Sequence, residues 1–301
     1  MDSPPTSDGF DIISSIRSDA ILLYSWQNTW VNAEISGTAA RSPAQFYMLS
    51  YHLDRMLNAA EEFGWDTSPL EGPKAFAELL EKLHDHLERE HNDRNHAAPL
   101  KLRIALSANG KFTITSDGPH PGPATIEGPL RLIGDNPISQ LYPGSLSSVA
   151  DPILGAAYLR WRVFVSPNKV TPTKFTMHKT SNRGVYDEAL APAQPLGLGL
   201  NNHKLQTEVL IVNDSEEVME GCKCTPYFLR DNEWITPKGS CGGNFGTTRR
   251  WAVEKGLCKL GVVMFNSVKC GEIIVLSNGA RGFQSGIVEP WKSLLEDDTK
   301  Q

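Results

Sequence analysis

Three short stretches hold the residue types from which chemistry could be built: Phe175-Thr-Met-His-Lys-Thr-Ser-Asn-Arg183, Glu220-Gly-Cys-Lys-Cys224 and Gly242-Gly-Asn-Phe-Gly-Thr-Thr-Arg249. Lys179 ends an apolar, β-branched run, where desolvation lowers the pKa of an ammonium and leaves an amine able to form a Schiff base. Glu220 leaves the end of a strand-like run, and a carboxylate there can keep a heteroaromatic nitrogen protonated. Gly246 and the threonines after it, Thr247 and Thr248, open a helix whose first-turn N–H groups are free to receive a phosphate. Amine, acid and anion cradle in that order are the parts that pyridoxal 5'-phosphate chemistry requires.

Each of these residues also has a plainer reading. Lys169 and Lys174 compete with Lys179 as the amine. Glu220 could simply terminate a strand, although a buried carboxylate there would need a cationic partner. The glycine segment lacks the Lys-Ser/Thr of a P-loop and the strand–helix pattern of a dinucleotide fold, so its value lies in Thr247 and Thr248. Gly197-Leu-Gly-Leu200 reads as a turn, and His84, His86, His91 and His96 read as the solvated face of a charged helix.

The elements that must position these residues are legible in the periodicity. Ala20–Tyr24 reads as a strand. Phe46, Leu49, Leu53, Met56, Ala60 and Phe63 recur at helical spacing behind Ser42 and Pro43 and predict a helix over 43–63. Phe76, Leu79, Leu80, Leu83 and Leu87 form the apolar stripe of a second helix over 73–90. Residues 100–106 and 111–115 alternate with period two about Asn109-Gly110 and predict a hairpin. A stretch rich in Pro, Gly and Ser follows, including Pro119-His-Pro-Gly-Pro123 and Tyr142-Pro-Gly-Ser-Leu-Ser-Ser148. It places an interdomain connection there, with domains over 1–145 and 146–301. Strands are expected at 161–165, 208–212, 227–230, 261–265 and 272–276, and helices at 182–189 and from Thr247 to the glycine at 256.

Composition sets outer limits. The chain has 301 residues, 40% hydrophobic and 21% charged, with a formal net charge of -6. The mean hydropathy is -0.30 and the pI about 5.8. These are the proportions of a folding globular protein with no general attraction for nucleic acid or an acidic membrane surface. No apolar run is long enough to span a bilayer, and the first residues lack a basic and then apolar leader, so a cytoplasmic location is expected. Cys222, Cys224, Cys241, Cys258 and Cys270 are too few, and odd in number, for a disulfide framework. Cys222-Lys-Cys224 lacks a second close pair, and no metal site is expected.

Taken together, the motifs resemble the class IV, fold-type IV family of pyridoxal-phosphate enzymes, which includes branched-chain and D-amino acid aminotransferases and aminodeoxychorismate lyase. Tyr51-His-Leu-Asp-Arg-Met56 is similar to the family's His-x-x-Arg helix motif, which implies that Arg55 binds the cofactor phosphate. Read from the residues alone, Arg55 could equally be a helix-surface arginine beside Asp54, Glu61 or Glu62. The segment His178–Arg183 resembles that of the Schiff-base lysine, Val218–Cys222 that of the pyridinium-binding glutamate, and Gly243–Arg249 the second phosphate loop. The resemblance implies a two-domain α+β or α/β fold of the D-amino acid aminotransferase type. A smaller N-terminal α+β domain would precede a larger strand-rich domain that binds pyridoxal 5'-phosphate.

The departures narrow the resemblance. Branched-chain members carry a tyrosine five positions after the lysine, and Gly184 stands there. Lys179-Thr-Ser-Asn-Arg183 instead resembles the Lys-x-x-Asn-Arg segment of the lyases. Thr225 replaces a usual asparagine, and Asn28-Thr-Trp-Val-Asn32 occupies the region of a missing glycine-rich N-terminal segment. The expected activity is 4-amino-4-deoxychorismate cleavage to 4-aminobenzoate and pyruvate for folate synthesis. The alternative is a class IV aminotransferase for a branched-chain, D-amino acid or amine substrate. A homodimer acting on a small molecule is implied by the same resemblance. Arg183, Arg249 and Arg281 are unranked candidates for binding substrate carboxylates.

Overall fold

A computed structural model describes residues 9–36, 44–91, 99–116, 138–151, 161–193 and 207–291. The chain divides into two compact units, one of residues 1–119 with 178–182, the other of 120–177 with 183–301. The sequence placed the boundary at 145/146. A five-residue piece of the later chain, His178–Asn182, belongs with the first unit.

In the first unit the strands β1 (Ile12–Ser18), β2 (Leu100–Leu106) and β3 (Phe112–Ser116) form an antiparallel sheet in that order. The β2–β3 hairpin has the expected turn, with Leu106 opposite Phe112 and Gly110 at φ 78°, a conformation that glycine adopts without a Cβ penalty. Ala20–Tyr24, expected as a strand, is a 3-10 helix capped by the Asp19 side chain, and the strand lies before that cap, at Ile12–Ser18. Asp19 also pairs with the buried Arg17, so one carboxylate ends β1 and starts the helical turn.

Among the described residues, three α-helices accompany this sheet: α1 (Trp26–Ser36), α2 (Leu49–Phe63) and α3 (Gly72–His91). The α3 stripe is as expected, with Phe76, Leu79, Leu83 and Leu87 in one core with Leu53 and Met56 of α2 and Leu102 and Ile104 of β2. Each such side chain contributes about 1.5–3 kcal/mol on burial. Helix α2 starts at Leu49, later than its apolar period predicts, behind Met48 at φ 52°. The expected cap, Ser42-Pro43, lies outside the described residues. Two buried asparagines of α1 hold this start in place. Asn28 donates to the Ala44 and Phe46 carbonyls and accepts from Met48 N–H, and Asn32 accepts from Ser50 N–H.

The second unit is built on eight strands: β4 (Trp161–Lys169), β5 (Thr207–Val212), β6 (Val218–Gly221), β7 (Thr225–Arg230), β8 (Glu233–Pro237), β9 (Lys259–Gly261), β10 (Ile273–Asn278) and β11 (Gly282–Val288). Their order is β6-β5-β4-β11-β10-β7-β8-β9. The sheet curls until its ends meet, with Val218 N–H donating to Val263 C=O (2.8 Å) and Phe265 N–H to Glu216 C=O (2.7 Å). Around it lie α4 (Ile138–Leu141), α5 (Leu146–Ala150), α6 (Lys174–Met177), α7 (Gly184–Leu190) and α8 (Thr247–Glu254). The end of the expected linker is therefore structured, with Ser145 capping α5 and Trp234 Nε1 donating to Ser147. Among the described residues no helix is long and apolar enough to cross a membrane.

Candidate functional site

The first unit holds Lys179 and Arg55. Lys179 follows a single helical turn, Lys174–Met177, and the chain then lies along β1. Ile13 N–H donates to the Lys179 carbonyl at 2.9 Å, Thr180 bridges to Ile12, and Ser181 N–H donates to Asp11 C=O. Lys179 is thus held on both sides by backbone, and its side chain is half-buried. The His178 ring packs edge-on against Phe63 of α2 at 5.8 Å.

Helix α2 brings His52 and Arg55 to the same strand. Arg55 Nη2 donates to Ser14 Oγ at 2.6 Å, and Ser14 Oγ lies 2.7 Å from His52 Nδ1. Burial first, then the charges of Arg55 and Lys179, push the His52 pKa well below its ordinary value. The arrangement is satisfied by a neutral ring that accepts the Ser14 proton at Nδ1 and carries its own on Nε2. The Nε2 atom is buried and has no hydrogen-bond partner among the described residues. His52 and Ser14 were missed in the sequence, although His52 lies within the His-x-x-Arg motif.

The second unit holds Glu220 and the glycine loop. Glu220 is the third residue of β6 and is 8% exposed. The Tyr186 hydroxyl of α7 donates to its Oε1 at 2.6 Å. The loop packs directly on this strand. A Cβ on Gly243 would lie 2.4 Å from the Met219 carbonyl oxygen and 3.1 Å from Glu220 Cβ, and Gly242 has φ 95°. Glycine is required here for close backbone approach.

Gly246 then caps α8 with extended backbone and no side-chain hydrogen bond, leaving the first-turn N–H groups without a side-chain cap. A Cβ there would meet Thr225 Oγ1 at 2.7 Å, so Thr225, in place of the usual asparagine, walls the turn. The two threonines have different surroundings. Thr248 Oγ1 lies 2.8 Å from Ser277 Oγ, which lies 2.8 Å from the Tyr227 hydroxyl. Thr247 Oγ1 is buried without a partner among the described residues. An orphaned hydroxyl beside uncapped helix N–H groups fits a phosphate dianion.

The three arginines are now distinguished. Arg249 is buried, stacks on Phe245 and donates to the Pro237 carbonyl. Arg183 donates to the Cys222 carbonyl and stacks on Tyr186. Arg281 lies over the Trp161 ring, with its Nε unpartnered among the described residues. Of the histidines expected on a solvated face, His84 is exposed beside Phe46, whereas His86 is buried.

Residues 38–286 match the amino-transferase class IV family. The chain belongs to the class IV aminotransferase family. It is 24% identical over 218 residues to aminodeoxychorismate lyase of Saccharomyces cerevisiae, across 69% of this chain and 56% of that protein. The chain therefore spans just over half of the yeast protein's length. Its fold is similar to that of the branched-chain amino acid aminotransferase from Escherichia coli, with a TM-score of 0.54 and 14% identity over 97% of this chain and 84% of that one. A hypothetical aminotransferase from Mycobacterium tuberculosis, in an alpha-ketoglutarate and PMP bound form, gives a TM-score of 0.55 at 12% identity over 98% and 93%. The fold is thus fold-type IV, with the small N-terminal sheet and the larger curled sheet. The family's cofactor, pyridoxal 5'-phosphate, is the cofactor of this chain, and the cradle at α8 fits its phosphate.

Proposed function

We propose that the protein is a 4-amino-4-deoxychorismate lyase that releases 4-aminobenzoate and pyruvate. The observation that carries this reading is the Lys179–Gly184 segment. It matches the lyase pattern and has Gly184 where branched-chain members place tyrosine. A Cβ at Gly184 would meet nothing within 4 Å, and the nearby Tyr186 is committed to Glu220. The similarity to the yeast lyase supports the same reading.

In this reading the roles divide between the units. Lys179 is the amine that carries the cofactor and, once displaced by the substrate's ring amine, the base that takes the proton from the amine-bearing carbon. It can return that proton to the departing pyruvate unit. Glu220 holds a proton on the pyridine nitrogen, and Tyr186 holds Glu220. Arg55 and the Gly246–Thr248 turn bind the phosphate, with the Thr247 hydroxyl as a donor. When bound, the cofactor supplies an electron sink for the carbanion that Lys179 generates. The family resemblance extends the reading to a homodimer, which light scattering after gel filtration tests.

The test of the reaction is to mix the cofactor-loaded protein with 4-amino-4-deoxychorismate and follow both products, beside a mixture of amino donors with a keto acid. Equal amounts of 4-aminobenzoate and pyruvate support the lyase. Amino transfer without cleavage would overturn it in favour of an aminotransferase.

A further inference from the structure

The Tyr186 side chain, not singled out in the sequence, joins several parts of the second unit's site. Its ring is buried in one cluster with Phe164, Val209, Ile211, Met219 and Cys222. Its hydroxyl lies 2.6 Å from Glu220 Oε1 and 3.1 Å from the Thr176 carbonyl. The shorter contact, to a carboxylate, is the charge-assisted one. Behind the ring, Arg183 stacks at 5.0 Å and donates Nη2 to the Cys222 carbonyl at 2.9 Å. One guanidinium thereby ties α7 to the turn that follows Glu220.

We propose that Tyr186 is a positioning residue for Glu220, setting both the direction and the basicity of the carboxylate that faces the cofactor's ring nitrogen, with Arg183 as its support. The inference rests on the role given to Glu220 above. A short hydrogen bond from a buried phenol stabilises the carboxylate as an anion and occupies Oε1. Burial, and then the Glu220 charge, push the Tyr186 pKa up, so the hydroxyl remains a donor throughout the working pH range. Other titratable and charged groups acting on the pair include Arg183 at the start of α7, Cys222 after β6 and Arg249 of α8. Burial above all raises the Cys222 thiol, which stays neutral. Asp187 pairs with Arg183 at 3.7 Å on the exposed side. Tyr186 is therefore a neutral donor that tunes Glu220.

Without that donor Glu220 is the stronger base and draws the ring-nitrogen proton towards itself. The nitrogen of Lys179 then protonates more readily. In Tyr186→Phe, which keeps the packed ring, the visible-absorbance midpoint of the cofactor-loaded protein is expected to rise by about one pH unit. The value of kcat should fall more than KM changes. Absorbance reads only folded, loaded protein, so partial unfolding lowers the amplitude and not the midpoint. Glu220→Gln run in parallel separates the two assignments. A shift in both variants supports the inference. A shift in Glu220→Gln alone overturns it and leaves Glu220's role standing. No shift in either variant overturns both.

Discussion

Replacing Gly243 with alanine tests whether the proposed phosphate loop is built by direct contact with the strand that carries Glu220. The added Cβ would lie 2.4 Å from the Met219 carbonyl oxygen and 2.8 Å from its carbon, both backbone atoms that cannot rotate away. Relief requires the loop to move about 1 Å from β6, and overpacking of this kind costs about 1–3 kcal/mol. At about 2 kcal/mol the melting temperature falls by about 4–8 °C for a body of this size. A 1 Å displacement of the N–H groups proposed to meet the phosphate should also weaken cofactor affinity by about tenfold or more. Differential scanning calorimetry and a fluorescence titration with pyridoxal 5'-phosphate read the two effects. Gly184→Ala is the internal control, because nothing lies within 4 Å of its Cβ and its φ is ordinary. Its stability should be unchanged or raised by at most about 1 kcal/mol. If Gly243→Ala melts with the native protein and binds the cofactor within twofold of it, the close-packing argument is wrong.

Thr247→Val should lower cofactor affinity without destabilising the protein, since it removes a buried hydroxyl that has no partner among the described residues. Thr248→Val should do the opposite, breaking the link to Ser277 and Tyr227 at a cost of about 1 kcal/mol, and melting curves with and without cofactor distinguish the two. His52 imposes a pH dependence. Its folded pKa lies well below the ordinary 6.5, so its contribution to stability is complete above that value and is lost as pH falls below it, when only the unfolded chain takes up the proton. The melting temperature of His52→Gln should therefore fall less steeply between pH 6.5 and pH 5 than that of the native protein, and equal slopes would refute the assignment. Arg55→Ala should chiefly weaken cofactor binding, and unchanged affinity in the same titration would return Arg55 to a purely structural role beside Ser14.

What the sequence made legible was local. The α3 stripe, the Asn109-Gly110 hairpin and the glycine turn into α8 each carry their signal within a few residues, and each is present. β1 carries none, because Ile12–Ser18 is buried on both faces, with Arg17 satisfied by Asp19, so the period-two alternation is absent. β6 is only four residues long, and β11 contains two glycines, so neither is distinguishable from a loop by propensity. At the candidate site, Lys179, Glu220 and the threonines followed from motif order. The residues that orient them did not. Ser14 reaches Arg55 across 41 positions and Tyr186 reaches Glu220 across 34, and no local pattern encodes such pairings. Likewise the three candidate arginines look alike in sequence and differ only in what the fold places beside them.

The account turns on Lys179 as the residue that carries the cofactor. Borohydride reduction of the loaded protein fixes the cofactor to its lysine, and peptide mass spectrometry then locates it. Lys179 should carry the pyridoxyl group, and Lys179→Ala should lose both the label and the visible absorbance. A label on Lys169 or Lys174, or full labelling of Lys179→Ala, would contradict the site described here.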